Sequence, residues 1–455
     1  NLEQPNSRVR LGRRKWLRIQ RKKDLIEGVA WVSFIFLVSA FLIEGGLKDV
    51  FNFADLSDPA NISQPLKAIN RLSALIATNL LLIHMLLIAR VPWIDSNFGH
   101  DKATNAHRRL GKPIFYLLVL HVVTTVVGYS ISEGTTLWDQ VVYLITEVDD
   151  LLTATIAFVL MALVVVTSIR IARRKLSYEA WYLVHLLSYA AVLFAIPHQL
   201  ELGSDIAEKP IQTAYWVGLY VFVAANILLY RFGLPIFKAL RHQVRVRAVI
   251  PEGNDSVSVY LTGNQLEKLG TKSGQFYLLR FLTGKQWWRP HPFSVSVAPN
   301  SSYLRFTIGN RGDDTALIQR MKSGTKVLLE GPYGVFTEDR RTREKVTLIA
   351  AGIGVAPIRS LAASLASRPG DITVIYRVRD ANEAALVSEL REISERRGHT
   401  LHVLEGPRGR GDSWLPEDLQ NTSDAARLRK LAPDIANSDI FICGPSVWTR
   451  QVTKS

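Results

Sequence analysis

"HRRLGKPIFYLLVLH" (His107–His121) carries a histidine at each end of an apolar run of helical length. After the opening HRRLGK almost nothing in it is ionisable. Ionisable groups inside a membrane are costly and point to function. Fourteen residues of α-helix rise about 21 Å and drift only about 40° around the axis. His107 and His121 therefore share a helix face, near opposite membrane surfaces. What they do depends on whether a second helix offers a matching pair.

"YEAWYLVHLLSYAAVLFAIPH" does so, with His185 and His198 thirteen residues apart. Thirteen residues rise about as far but turn some 140° away in an ideal helix. Pro197 supplies a kink or local unwinding in this reading, which brings His198 back. If both helices run the same way, His107 and His185 lie at one level and His121 and His198 at the other. Two facing histidines at each level are the ligand set of two stacked six-coordinate haems. Zinc or copper more often recruits Cys, Asp or a third His. His84 has no partner at its level and reads as a buried, hydrogen-bonded histidine or a propionate neighbour.

Six apolar stretches of spanning length lie in the first half, at about 28–47, 72–89, 113–130, 151–171, 179–198 and 212–230. Residues 1–27 and the 90–112, 170–179 and 231–247 segments together carry 23 Lys and Arg, against four in 48–71, 130–150 and 199–210. The positive-inside rule then places both termini in the cytoplasm of a multi-pass cell-membrane protein. The net charge of +15 is explained by this topology and by anionic lipid headgroups, with no nucleic acid required. The first apolar stretch follows a basic segment and lacks a cleavage site, so it does not read as a signal peptide. One cysteine, Cys443, excludes an intrachain disulfide, a four-cysteine iron–sulfur cluster and a four-cysteine structural zinc site. The chain begins at Asn1 and ends at "WTRQVTKS", which reads as trimmed at both ends. Arg71 opens the second span. It is either an interfacial snorkelling residue or a partner for an outer-haem propionate or an anionic product. Asn61-Ile62-Ser63 and Asn421-Thr422-Ser423 are sequons on opposite predicted sides, which chance explains equally well.

Beyond residue 240 the texture changes. "VRVRAVI", "SVSVYL" and "YLRFTI" alternate between Gly, Pro and Asn turns, as β-strands do. From about 345, "VTLIAA", "IRSLAASLA", "DITVIYRV", "AALVSELREIS" and "LHVLEG" alternate strand and helix, which predicts a largely parallel sheet. The fold class is a multidomain membrane protein. A basic N-terminal segment (1–27) precedes a six-helix transmembrane bundle (28–235). A β-barrel flavin domain (240–340) and an α/β nucleotide domain (343–455) follow.

"RPHPFSVSVAP" (289–299) leaves one strand and starts another. Flavin held on a β wall needs backbone and hydroxyl donors and a cation near its phosphates. His291, Pro292, Phe293 and Ser294 fit the first need and Arg289 the second. "GNRGDDT" (309–315) breaks at Gly312 before a helical run, and a helix N-terminus there can hold a pyrophosphate. "LIAAGIGVAPIRSL" reads strand, Gly352-x-Gly354-x-x-Pro357, helix, a context that suits close approach of backbone to a dinucleotide phosphate. "VIYRVRD" ends a strand in bases with no acid at its tip, which favours a 2′-phosphate at Arg377 or Arg379; a solvated strand end is the plain alternative. In "FICGP", Cys443 stands beside the nicotinamide or is simply a small buried thiol.

Taken together, HRxLG…H, the His185/His198 pair, HPFS, GDDT, GPYG, AGIGVAP and CGP resemble the ferric reductase / NADPH oxidase superfamily over nearly the whole chain. The resemblance implies two haem b groups in the bundle and a ferredoxin–NADP reductase-like module with FAD and NADPH. It implies iron ligation by His107 with His185 and by His121 with His198. It implies FAD contacts from Arg289, the HPFS residues, Arg311, Gly312 and Thr315. It implies NADPH contacts from Gly352, Gly354, Pro357, Arg377, Arg379, Cys443, Gly444 and Pro445. Arg71 resembles the arginine that the family places near the outer haem. One departure is Gly309, where the family often has a base, so Arg311 or Arg289 takes that role. The family also continues past CGP to a terminal aromatic on the flavin.

The carrier order follows from electron counting. NADPH gives two electrons as hydride, a haem takes one, and flavin converts between the two. The acceptor is extracytoplasmic: ferric or cupric ion, or O2 in an oxidase that makes superoxide. A relay subunit or a transporter is the reading from another class; the first needs no reductase module of its own and the second no haem.

Overall fold

The computed structural model describes residues 5–51, 58–203, 209–253, 255–409 and 411–455. Residues 1–4 of the basic segment, and 52–57 and 204–208 of two loops counted for orientation, lie outside these. The chain divides into two compact units. One comprises Asp24–Val91 and Asp101–Arg231; the other comprises Asn1–Lys23, Pro92–His100 and Phe232–Ser455.

Among the described residues, six helices are long and apolar enough to cross a membrane: Arg14–Ile43, Asn61–Ile88, His100–Glu133, Leu151–Ser168, Tyr178–Glu201 and Pro210–His242. These are the first to sixth spans below. The described part of the basic segment is helical and continuous with the first span, because one helix runs from Pro5 to Ile43. It ends before Gly45, whose left-handed φ of 83° stops a helix cheaply, so the first span is shorter at its end than expected. Expected to end near 230, the sixth span instead continues through a π-helical turn at Ile227–Gly233 into Leu234–His242. Pro197 lies inside the unbroken fifth span, so no unwinding occurs there.

Within the membrane unit, side chains of three spans meet in a polar knot. Asn79, fully buried, donates to Ser33 Oγ at 2.7 Å and to the Tyr215 hydroxyl at 2.9 Å. Ser33 and Tyr215 lie 2.6 Å apart. In lipid there is no hydrophobic drive between helices, so such bonds and close packing hold them together.

The other unit carries ten strands among its described residues. They are β1 (Arg245–Pro251), β2 (Ser256–Thr262), β3 (Phe276–Phe281), β4 (His291–Ser294), β5 (Leu304–Gly309), β6 (Val327–Tyr333), β7 (Lys345–Ala351), β8 (Ile372–Arg377), β9 (Thr400–Leu404) and β10 (Ser438–Cys443). The first six form two three-stranded antiparallel sheets, β1-β2-β5 and β4-β3-β6. The expected barrel is therefore not closed. Among the described residues the bridges Arg245 to Lys326 and Val295 to Phe306 join the sheets without continuous ladders. Alternate residues of both sheets meet in one core that includes Val259, Leu279, Phe281 and Phe306.

The last four strands form a parallel sheet in the order β10-β7-β8-β9, as the strand–helix alternation predicts. Its central strands are apolar on both faces because the helix Val355–Ser364 covers one side and a second cluster around Trp414 covers the other. A clamp joins the β and α/β domains. Glu389 takes both terminal guanidinium nitrogens of Arg305, at 2.6 and 2.9 Å, and Arg359 at 2.6 Å. Ser360 Oγ adds a bond to the Val297 carbonyl at 2.8 Å.

Candidate functional site

The second, third and fifth spans bring His84, His107 and His185 together. The ring centroids of His107 and His185 lie 6.1 Å apart. Two imidazoles on one metal, with metal–nitrogen bonds of about 2 Å, place their centroids about 6 Å apart. His107 Nδ1 faces the His84 carbonyl at 3.1 Å, so it must donate. That leaves Nε2 bare, the tautomer a metal ligand needs. His185 Nδ1 lies 3.4 Å from Ser168 Oγ, which Trp181 Nε1 also reaches at 3.2 Å while its ring stacks on His185.

His84 was expected to stand alone at its level. Instead its ring lies on His107, with centroids 3.7 Å apart. Among the described residues no three His, Cys, Asp or Glu converge as metal ligands. Two ligands per metal suit a group whose macrocycle supplies the other donors, so the donor set fits haem.

At the other end of the third span, His121 Nδ1 donates to the Asn70 carbonyl at 3.3 Å. His198 is within electrostatic reach of His121. The Ala195 carbonyl lies close to it without making a well-formed hydrogen bond to its Nδ1. Arg71 sits 3.8 Å from both Glu44 and Asp49 and over the Phe41 ring. Lys209 and Gln212 converge on the same Glu44. Arg71 is thus part of a charge network rather than a solitary cation.

In the β domain, HPFS is β4, paired antiparallel with β3 so that Phe293 faces Tyr277 and Pro292 faces Leu278. Ser294 pairs with Phe276 at the strand end. His291 Nε2 bonds Gln286 Oε1 at 2.7 Å, and burial holds its imidazole below the usual pKa. Arg289 reaches across to the GDDT turn, where Asp314 takes it at 2.7 and 2.9 Å. The motif arginine and the motif turn, 25 residues apart, are therefore brought together. Thr315 Oγ1 accepts from the Arg311 amide and donates to the Gly312 carbonyl, both at 2.8 Å, so its hydroxyl shapes the turn itself. Gly312 has φ 134°, which a side chain would resist.

In the α/β domain, Gly352–Gly354 forms a single 3-10 turn between β7 and the helix that holds Pro357. A Cβ on Gly354 would stand 2.2 Å from the Cys443 carbonyl, and one on Gly444 2.8 Å from the Trp448 ring. Gly354 is thus required by packing of β10 as well as by any phosphate. Pro445 caps the helix Ser446–Lys454 that follows. Burial pushes the Cys443 thiol up to about 11.

Arg377 and Arg379 part company. The Arg377 guanidinium bonds the carbonyls of Val378, of Leu404 at 3.4 Å and of Pro407 at 2.7 Å. Arg379 is exposed, and its side chain forms no hydrogen bond or ion pair among the described residues. Reasoning from sequence missed Ser168, Trp181 and Asn70. The only early signal was that Asn70 and His84 repeat the fourteen-residue spacing of His107 and His121.

Three segments of the chain match known families. Residues 73–196 match "Ferric reductase like transmembrane component", 241–337 "FAD-binding domain" and 348–454 "Oxidoreductase NAD-binding domain". A Mycolicibacterium smegmatis protein, "3-ketosteroid-9-alpha-monooxygenase, ferredoxin reductase component", is 28% identical over 213 residues, covering 45% of this chain and 58% of its own. "Respiratory burst oxidase homolog protein D" of Arabidopsis thaliana is 28% identical over 211 residues, 40% of this chain and 21% of that one. The chain thus spans less than two thirds of the length of either relative. Among solved structures, "Ferredoxin reductase in carbazole 1,9a-dioxygenase" aligns over 46% of this chain and 63% of its own, at 18% identity and a TM-score of 0.39.

Proposed function

We propose that this chain, whose segments match a ferric reductase like transmembrane component, an FAD-binding domain and an oxidoreductase NAD-binding domain, carries electrons across the cell membrane from cytoplasmic NADPH, through FAD and two b-type haems, to an extracytoplasmic acceptor. Ferric or cupric ion is the first choice of acceptor. The observation that carries this reading is the 6.1 Å separation of the His107 and His185 rings, with His107 Nδ1 tied to a carbonyl. FAD, when bound, would supply the conversion of a two-electron hydride into single electrons, and haem would supply one-electron transfer.

The chain's own residues do the rest. His107 with His185, and His121 with His198, would hold the two haem irons. With two histidines on each iron, an acceptor would be reduced without direct ligation to the metal. Backbone of β4 at Pro292 and Phe293 and the hydroxyl of Ser294 orient the flavin, while Arg289 and the amides of the Gly312 turn bind its phosphates. The Gly352–Gly354 turn lets the nucleotide pyrophosphate approach a helix N-terminus. Arg379 binds the 2′-phosphate; Arg377 positions the strand end that presents it. Cys443, Gly444 and Pro445 line the nicotinamide side. The excess of Lys and Arg in alternate loops supports cytoplasmic termini.

The match to a respiratory burst oxidase homologue supports a second reading, in which O2 is reduced to superoxide. Anaerobic stopped-flow absorbance with added FAD and NADPH tests both. Haem reduction by NADPH is expected. Faster reoxidation by ferric chelate selects the reductase, and by oxygen the oxidase. A protein that shows no haem band overturns the proposal.

A further inference from the structure

The second and third spans meet in a repeated arrangement. Asn70 and His84 lie fourteen residues apart on the second span, as His107 and His121 do on the third. The pairing is antiparallel: the Asn70 carbonyl accepts from His121 and the His84 carbonyl accepts from His107. One helix backbone therefore sets the tautomer of both third-span imidazoles.

The side chains at the two equivalent positions behave differently. Asn70 turns its amide onto the third-span backbone and bonds the His121 carbonyl at 3.3 Å, with Thr125 as a second acceptor. His84 instead lies over the His107 ring at 3.7 Å, tilted by 33°. Among the described residues its buried Nε2 has no hydrogen-bond partner. An unpaired buried polar atom is costly, so one that persists calls for a partner. No apolar residue type would incur that cost, and the ring contact with His107 would be made as well by Phe. His84 is not a third ligand, because no three such residues converge among those described.

Resting on the haem reading above, we propose that His84 is a positioning residue for the inner haem: its ring limits rotation of the His107 imidazole, and its Nε2 hydrogen-bonds the group that His107 and His185 hold. Such partners tune a metal's potential through ligand orientation and hydrogen bonding. At the outer pair the equivalent position is Asn70, whose side chain is turned to backbone, so the two haems differ in surroundings despite identical ligands.

The test uses the full chain in detergent, with His84→Phe and His84→Ala compared by haem content, low-temperature EPR of the ferric protein and potentiometric titration. His107→Ala identifies which signal is the inner one. His84→Phe keeps the ring and the carbonyl but removes the nitrogen. It is expected to retain both haems and to shift the inner midpoint potential alone. His84→Ala is expected to broaden the inner low-spin EPR signal as the His107 ring gains freedom, with the outer signal unchanged as the folding control. Inner signals and potentials identical to wild type in both variants would overturn the proposal. So would loss of one haem from His84→Phe, which would make His84 a ligand. Wild-type protein without haem would sink the haem reading itself, and this inference with it.

Discussion

The membrane unit and the α/β domain use polar side chains against backbone carbonyls in opposite ways. In the membrane unit, His107 and His121 each give one nitrogen to a carbonyl, which leaves the other nitrogen bare for chemistry. In the α/β domain, Arg377 gives its guanidinium to three carbonyls and keeps nothing evident for a ligand. A one-sided histidine in an apolar span is costly unless it serves a ligand. An arginine at a strand end near water has cheaper uses, such as tying down a loop. The same residue-to-motif inference is therefore stronger in the spans than beyond them.

The largest expected effect breaks or upholds the membrane side of that contrast. His107→Ala should remove the inner haem, and with it about half of the Soret absorbance, if each haem needs both axial histidines. Pyridine haemochrome analysis checks this, and flavin content should not change. Unaltered haem content would mean that the bare Nε2 serves some other purpose.

The next prediction concerns the clamp between the β and α/β domains. The Arg305 side chain is 4% exposed, so Glu389→Ala strands a buried charge. The cost should be about 3 kcal/mol, seen as earlier FAD release on denaturant titration. Glu392→Ala, which breaks the exposed pair with Arg396, should cost less than about 0.5 kcal/mol. The clamp also has a pH signature. Burial pushes the Glu389 carboxyl upward, but hydrogen bonds and charges from Arg305 and Arg359 outweigh it and hold the pKa below the usual value. Its contribution is then present above the unfolded carboxyl pKa of about 4.3 and is lost as pH falls through the lower folded value. Equal acid sensitivity of wild type and Glu389→Ala would refute that linkage.

A smaller effect separates the two strand-end arginines. Arg379→Ala should raise the Kd for NADPH about tenfold, equivalent to about 1.4 kcal/mol, and leave NADH nearly unchanged. Arg377→Ala should weaken both alike, since it loosens the loop at Leu404 and Pro407. Fluorescence titration of each variant with both nucleotides decides. The reverse pattern would return the 2′-phosphate to Arg377.

The smallest concerns Cys443. With its thiol pushed up to about 11 by burial, alkylation by iodoacetamide should stay slow in mildly alkaline buffer and accelerate only towards that value. Fast labelling at neutral pH would mark an activated thiolate instead.

Particular residues show where legibility ended. The spans, the strand–helix alternation after 345 and the motif order were readable because hydrophobic period and punctuation are local. The closure of the β domain was not. Whether β1 and β6 pair along their length or through one bridge depends on twist and on edge packing between residues about 80 apart in the chain, such as Arg245 and Lys326. Gly354 was readable as a special position, but its packing reason lies in the Cys443 carbonyl about 90 residues away.

By itself the sequence determined six apolar spans, two histidines on each of two of them at nearly equal spacing, and the strand and helix pattern that follows, because the bilayer and the strand period act on neighbouring residues. Only the tertiary structure decided which nitrogen of His107 is bare, that His84 lies against it, that Arg289 meets Asp314, and that Arg377 is spent on carbonyls. Those outcomes belong to pairs of groups on different elements. A hydrogen bond forms or fails over a few tenths of an ångström, a precision that no spacing along one chain segment encodes.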